Sequence, residues 1–172
     1  MNVASVKFYD IANGEGVRTS LFVSGCRHHC KNCFNQEAWD FAFGTPYTTQ
    51  TQAEIVASLA PDFIAGLTIL GGEPFEVENQ AEVLSLVTEV KARYPQKTVW
   101  IYSGFTYEEL LSDSRAATPT ARAILQKADV LVDGRFIEEQ KNISLAFRGS
   151  ENQRLIDLPK TLQGNTIVLY QP

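Results

Sequence analysis

Three cysteines, Cys26, Cys30 and Cys33, stand close together in a chain of 172 residues that has no others. An odd number packed this closely is not a disulfide framework, and a bridge between any two would close only a short loop. Thiolates are soft ligands that favour iron–sulfur clusters, zinc or copper(I). The spacing is Cys-x3-Cys-x2-Cys. A [4Fe–4S] cube held by protein alone takes four cysteines, so three leave one iron open to a bidentate small molecule. A zinc reading uses the same atoms, with His28 or His29 completing a Cys3His tetrahedron. Structural zinc sites draw on separate knuckles, and only one cluster exists here, so both histidines are read as decorating the loop.

Other residues suited to chemistry recur at matching places. Gly71-Gly72-Glu73-Pro74, Ser103-Gly104 and Asp133-Gly134 each follow a short apolar run. These runs are Leu67–Leu70, Thr98–Tyr102 and Val130–Val132, and Cys26 follows a fourth, Thr19–Ser24. Val3–Phe8 and Thr166–Tyr170 add a strand at either end. Between them lie helical segments at Gln52–Leu59, Glu78–Tyr94, Tyr107–Leu111 and Thr120–Lys127. In the second of these, Val83, Val87, Val90 and Tyr94 recur at helical spacing, and Pro95 stops it.

Apolar strands alternating with helices predict an α/β fold with a mainly parallel sheet covered by helices. The four motifs at strand ends then share one face, where sites are built. A full (β/α)8 barrel takes about 250 residues, so 172 residues predict a partial, open βα barrel. No linker or repeat divides the chain, and residues 1–172 are read as one domain.

Composition narrows the function. The net charge is −5 and no Lys/Arg run is present, which argues against nucleic-acid binding. No run approaches the roughly 20 apolar residues of a membrane span. Met1 to Asp10 has no apolar stretch of the signal-peptide kind. A cytoplasmic protein is expected.

The cysteine spacing followed by Gly-Gly-Glu-Pro resembles the radical S-adenosylmethionine superfamily. Within it the chain is similar to the activating proteins of the anaerobic (class III) ribonucleoside-triphosphate reductase. The stretch Asp10 to Cys26 carries this likeness, with Cys33-Phe34-Asn35, Tyr102 to Phe105, Asp133 to Phe136, Phe147 to Ser150 and Asn152 to Arg154. Many superfamily members place an aromatic just before the third cysteine; here that position is Asn32, and Phe34 follows instead.

The resemblance implies that Cys26, Cys30 and Cys33 bind three irons of a [4Fe–4S] cluster and that S-adenosylmethionine takes the fourth. Asn32, Cys33 and Phe34 then line its pocket, Gly71, Gly72 and Glu73 receive its amino group, and Ser103 is a candidate ribose or carboxylate contact. Glycines let a ligand approach the backbone, and a carboxylate accepts from an ammonium. A side chain at Gly72 is expected to crowd the cofactor and spare the cluster. Asp133-Gly134 is read as a turn, and Arg18 and Arg148 as surface charges. The implied activity is reductive cleavage of the cofactor to methionine and a 5′-deoxyadenosyl radical, which leaves a glycyl radical on the reductase. No further cysteine is present for a second cluster, so an external donor supplies the electron.

Overall fold

The computed structural model describes residues 1–112 and 114–172. The expected apolar runs become β2 (Val17–Val23), β4 (Ile64–Gly71), β5 (Thr98–Tyr102) and β6 (Val130–Asp133), preceded by β1 (Asn2–Asp10). Two elements were not foreseen among the strands, β3 (Thr45–Pro46) and β7 (Arg154–Asp157). Together they form one open sheet in the order β3-β1-β2-β4-β5-β6-β7. β2, β4, β5 and β6 run parallel, while β1, β3 and β7 are antiparallel to their neighbours.

The helices are α1 (Thr49–Ser58), α2 (Val77–Arg93), α3 (Tyr107–Leu111), α4 (Pro119–Leu125) and α5 (Leu158–Gly164). Side-chain caps define several starts. Thr48 and Thr106 form capping boxes with Thr51 and Glu109, and Thr118 caps α4 with Pro119 in its first turn. Each satisfies backbone donors that have no partner within the helix.

Strand alternation sorts side chains between two cores. Leu67, Ile69, Val99, Ile101 and Leu131 face the helices, where Val83, Leu86, Val87 and Val90 of α2 meet them fully buried. Burying each such aliphatic side chain contributes about 1.5–3 kcal/mol. Trp100, Val130, Val132 and Leu155 point to the other face, where Phe147 and Tyr170 cover them. That face also holds Arg18, which is 1% exposed and so no surface charge. Its guanidinium donates to Thr68 Oγ1 (2.7 Å), Thr98 Oγ1 (3.0 Å) and the carbonyls of Glu15, Leu67 and Thr98, beneath the Trp100 ring. Burial lowers its pKa to about 10, which leaves the cation intact at neutral pH.

The expected last strand at Thr166–Tyr170 is not one of the seven. Its segment contributes a single bridge, Leu169 to Ile156, with Asp157 N–H to Val168 O and Tyr170 N–H to Leu155 O beside it. β7 takes the place beside β6: all four of its residues pair with Val130–Asp133, Leu155 and Ile156 are buried, and Arg154 reaches the buried Asp133.

Register positions the site. Val23 pairs with Gly71, Ile69 with Ile101, and Tyr102 with Val132. The ends of the four parallel strands therefore stand in one row, and the residues after them meet above it. Among the described residues no helix is long and apolar enough to cross a membrane.

Candidate metal centre

The cysteine loop leaves β2 through Ser24 and Gly25. Gly25 has φ +95°, and a Cβ there would stand 2.3 Å from the Phe41 ring, so only glycine fits. Gly25 and Cys26 donate their N–H groups to the carbonyls of Ala38 and Trp39, in the 3-10 turn Gln36–Trp39. The loop is thus closed at its base. Further on, His29 and Asn32 take left-handed conformations (φ 50° and 57°). Asn tolerates that region better than most residues, so Asn32 serves the turn before Cys33.

Cys26 is buried, and Cys30 and Cys33 are half-buried. Burial pushes the Cys26 thiol up to about 12, against the N–H groups of His28 and His29 directed at it. Burial also raises Cys30, opposed by the N–H of Phe136. Neither sulfur ionises readily without a metal, and each has N–H donors prepared for the charge it carries when bound.

All three cysteines line one hollow of ≈ 120 Å³ together with Phe34, Gly71, Gly72, Glu73 and Ser103. The expected site residues therefore converge, except that Asn32 faces a neighbouring hollow of ≈ 520 Å³. Cys33, Phe34, Leu70, Tyr102, Phe136 and Gln153 border both. Arg148 also lines the larger one, with its Nε buried and unpartnered, so it is not simply a surface charge.

The close approach that the glycines allow is to the chain itself. Gly72 donates to Val23 O (2.7 Å) and Glu73 to Gly25 O (2.8 Å). A Cβ on Gly72 would stand 2.6 Å from Gly25 O and 2.8 Å from Ala38 O. A Cβ on Gly71, whose φ is +114°, would meet Val23 O at 2.6 Å. Asp133 is the buried last residue of β6 and no part of a turn, accepting from Tyr107 N–H (2.7 Å) and Arg154 Nε (3.0 Å); the chain turns only at Gly134 (φ +97°).

Several site residues were not anticipated. His28 does not decorate the loop: it bonds Glu73. Tyr102, Phe136 and Gln153 complete the walls, and Gln153 links the 134–150 segment to itself through Gly134 O, Gly149 N–H and Ser150 N–H. Tyr102 had a signal in its position at a strand end. Gln153 lies in the long irregular stretch after Asp133 and had none from periodicity.

The donor set fits an iron–sulfur cube better than zinc. His28 is held between Glu73 and Arg135, and His29 stacks on Trp39 at 4.6 Å, so each ring is engaged elsewhere. Among the described residues, no three His, Cys, Asp or Glu side chains gather around a point that one ion could occupy. A cube spreads its ligands over separate corners and needs no such nest.

Comparison with known proteins agrees with this donor set. A family model described as a 4Fe-4S single cluster domain matches residues 12–156. An anaerobic ribonucleoside-triphosphate reductase-activating protein of Vibrio cholerae is 44% identical over 146 residues, 84% of this chain and 90% of its own. Proteins of the same name from Pasteurella multocida (41% over 152 residues, 86% and 93%) and enterobacteria phage T4 (36% over 155 residues, 90% and 93%) are similar over comparable spans.

Proposed function

We propose that this chain, which belongs to the family of anaerobic ribonucleoside-triphosphate reductase-activating proteins and to the 4Fe-4S single cluster domains, installs a glycyl radical on such a reductase. The observation that carries this reading is the meeting of all three cysteines with the ends of β4 and β5 in one hollow. Cys26, Cys30 and Cys33 hold three irons and leave the fourth for S-adenosylmethionine. When bound there, the cluster would supply one electron for reductive cleavage of S-adenosylmethionine to methionine and a 5′-deoxyadenosyl radical, the oxidant for one glycine C–H bond of the reductase. Gly71, Gly72, Glu73 and Ser103 would line the cofactor on the strand side and Cys33 and Phe34 on the loop side, with Asn32 reaching it only through the adjoining hollow.

The open sheet supports a partial βα barrel of the radical S-adenosylmethionine type, formed by residues 1–172 as one domain. On this reading a segment of another protein enters at its open side. Phe34 stands at that mouth 83% exposed, where a protein partner can cover it. Excluding water there protects a reactive radical, and the partner supplies the missing wall. An external cytoplasmic donor delivers the electron.

The test uses a reductase deuterated at glycine, mixed anaerobically with the reconstituted protein, a reductant and S-adenosylmethionine. The expected result is a glycyl-radical signal in electron paramagnetic resonance and deuterium in 5′-deoxyadenosine. Catalytic consumption of a small molecule with no label transfer would overturn the reading.

A further inference from the structure

Glu73 is fully buried, and each carboxylate oxygen accepts two hydrogen bonds from the protein. Oε1 accepts from Phe75 N–H and from the Ser103 hydroxyl, both at 2.9 Å. Oε2 accepts from Gly104 N–H at 2.7 Å and is 3.0 Å from His28 Nε2. A carboxylate offers about four lone-pair sites, so the chain's own donors fill them. Three of these donors belong to the turn after β4 and the end of β5. Only His28 comes from the cysteine loop, between Cys26 and Cys30.

The other ring nitrogen fixes the tautomer. Arg135 Nε donates to His28 Nδ1 at 2.9 Å, and a guanidinium has no acceptor capacity. The ring hydrogen therefore sits on Nε2 and points at Glu73. The His28 side chain is 3% exposed, with Phe105 edge-on at 4.4 Å. Gly104 makes room for it, because a Cβ there would lie 2.4 Å from the ring. Neither the spacing of the cysteines nor the Gly-Gly-Glu-Pro turn requires this arrangement, yet five residues from four segments build it.

We propose that Glu73 and His28 are a positioning pair for the cluster loop. Glu73 is the anchor, fixed to β4 and β5, and His28 is the tether that holds the middle of the loop against it. The inference rests on the functional reading above and alters one part of it. Glu73 acts through the placement of the cysteines, and with its lone pairs filled by the chain it is not the acceptor of a cofactor's ammonium group.

Three single substitutions in the full chain separate anchor from acceptor. His28→Ala removes the tether. His28→Gln keeps an N–H donor at similar reach and loses the Arg135 contact. Glu73→Gln turns an amide N–H2 toward donors that need an acceptor. The first readout is nitrogen-15 NMR of the His28 ring in protein without metal. A slowly exchanging Nε2–H with bare Nδ1 is expected, and the slow exchange should vanish in Glu73→Gln. A ring protonated on Nδ1 instead overturns the proposal.

The second readout uses anaerobically reconstituted protein, with S-adenosylmethionine affinity by calorimetry and the paramagnetic signal of the reduced cluster with and without the cofactor. His28→Ala should keep its iron and sulfide, lose about tenfold in affinity, and lose the cofactor-induced change in the signal. His28→Gln should recover to within about threefold, and the double variant should bind no more weakly than Glu73→Gln alone, as for two residues acting as one unit. If His28→Ala binds as tightly as the parent or more so while Glu73→Gln binds weakly, the proposal is overturned, since Glu73 is then the ammonium acceptor and His28 its competitor. If the parent has the bonded Nε2–H but does not respond to S-adenosylmethionine, the functional reading falls and the tether is supported.

Discussion

The buried carboxylate of Glu76 accepts the backbone N–H of Arg27 at 2.9 Å, so the residue after the first cysteine is tied to the start of α2. Glu76 is also flanked by two guanidinium groups, from Arg27 (2.7 Å) and Arg115 (2.8 Å). These stack in turn on Phe41 and Phe105. The cysteine loop is therefore held by Glu76 at its entry and by Glu73 at its middle.

Replacing Glu76 with Gln should destabilise the fold, since an amide cannot accept from all these donors. Breaking a fully buried pair costs about 3–5 kcal/mol. The two arginine side chains are 46% and 41% exposed and can rehydrate, so about 1–3 kcal/mol is expected. Urea denaturation of protein without metal measures it, and an unchanged midpoint would show that the pairing is neutral.

Acid should weaken the fold in a defined window. Burial pushes Glu76 up, but the bonds from Arg115 and Arg27 outweigh it and hold its pKa below the ordinary 4.5. Arg27 lowers Glu78 to about 2, and Arg154 does the same for Glu108. A carboxylate depressed in the folded state stabilises it above the unfolded pKa, and that contribution is lost as pH falls through the folded value. Stability should change little from these groups between pH 7 and 5, then fall from about 4.5 toward 2. Glu78 and Glu108 are about half exposed, so Glu76 dominates and Glu76→Gln should show the shallower decline. Denaturation midpoints against pH provide the comparison.

Cys30→Ala should leave a pair of thiolates that cannot hold the cube. Iron and sulfide content after anaerobic reconstitution should collapse, along with cofactor cleavage. Native turnover of S-adenosylmethionine by this variant would sink the cluster assignment.

Gly72→Val should damage the fold and the cluster loop together. A side chain crowding only the cofactor would spare iron content, but here the carbonyls of Gly25 and Ala38 stand at 2.6 and 2.8 Å from the new Cβ. Backbone cannot swing aside as a side chain can, and overpacking of this kind costs about 1–3 kcal/mol or more. Lower iron content with a lower urea midpoint is expected. Full iron content with weaker cofactor binding would restore the simpler view.

Arg18→Met should destabilise without touching the hollow. It strands acceptors at Thr68, Leu67 and Thr98 on the buried face, at about 1–3 kcal/mol for each group left unsatisfied, offset in part where Met fills the space. Urea denaturation should register the loss, while iron content per folded molecule stays at the parent level.

The sequence made the frame of the site legible because its parallel strands are apolar runs that each end at a glycine-containing step, Ser24-Gly25, Gly71-Gly72, Ser103-Gly104 and Asp133-Gly134. Thr98–Tyr102 and Tyr107–Leu111 were read with the bounds they have. What escaped has a common cause. β7 is only Arg154–Asp157, and two of its four residues are charged. Its place depends on pairing with β6 and on the Arg154–Asp133 contact across the chain, which no local pattern encodes. Arg18 looked like a surface cation because nothing in its neighbourhood announces the acceptors 50 and 80 residues away. His28 was passed over for the same reason: its worth lies in Glu73, on another strand's end.

The three sulfurs are not equally committed to the fold. Cys26 is buried on a segment pinned by Ala38, Trp39 and Glu76, whereas Cys30 and Cys33 are half-buried on a stretch that joins no strand. The far side of the loop can swing away without breaking a single rung of the sheet. The outer two sulfurs are therefore placed by the loop's own side-chain contacts, and only the first by the fold's backbone.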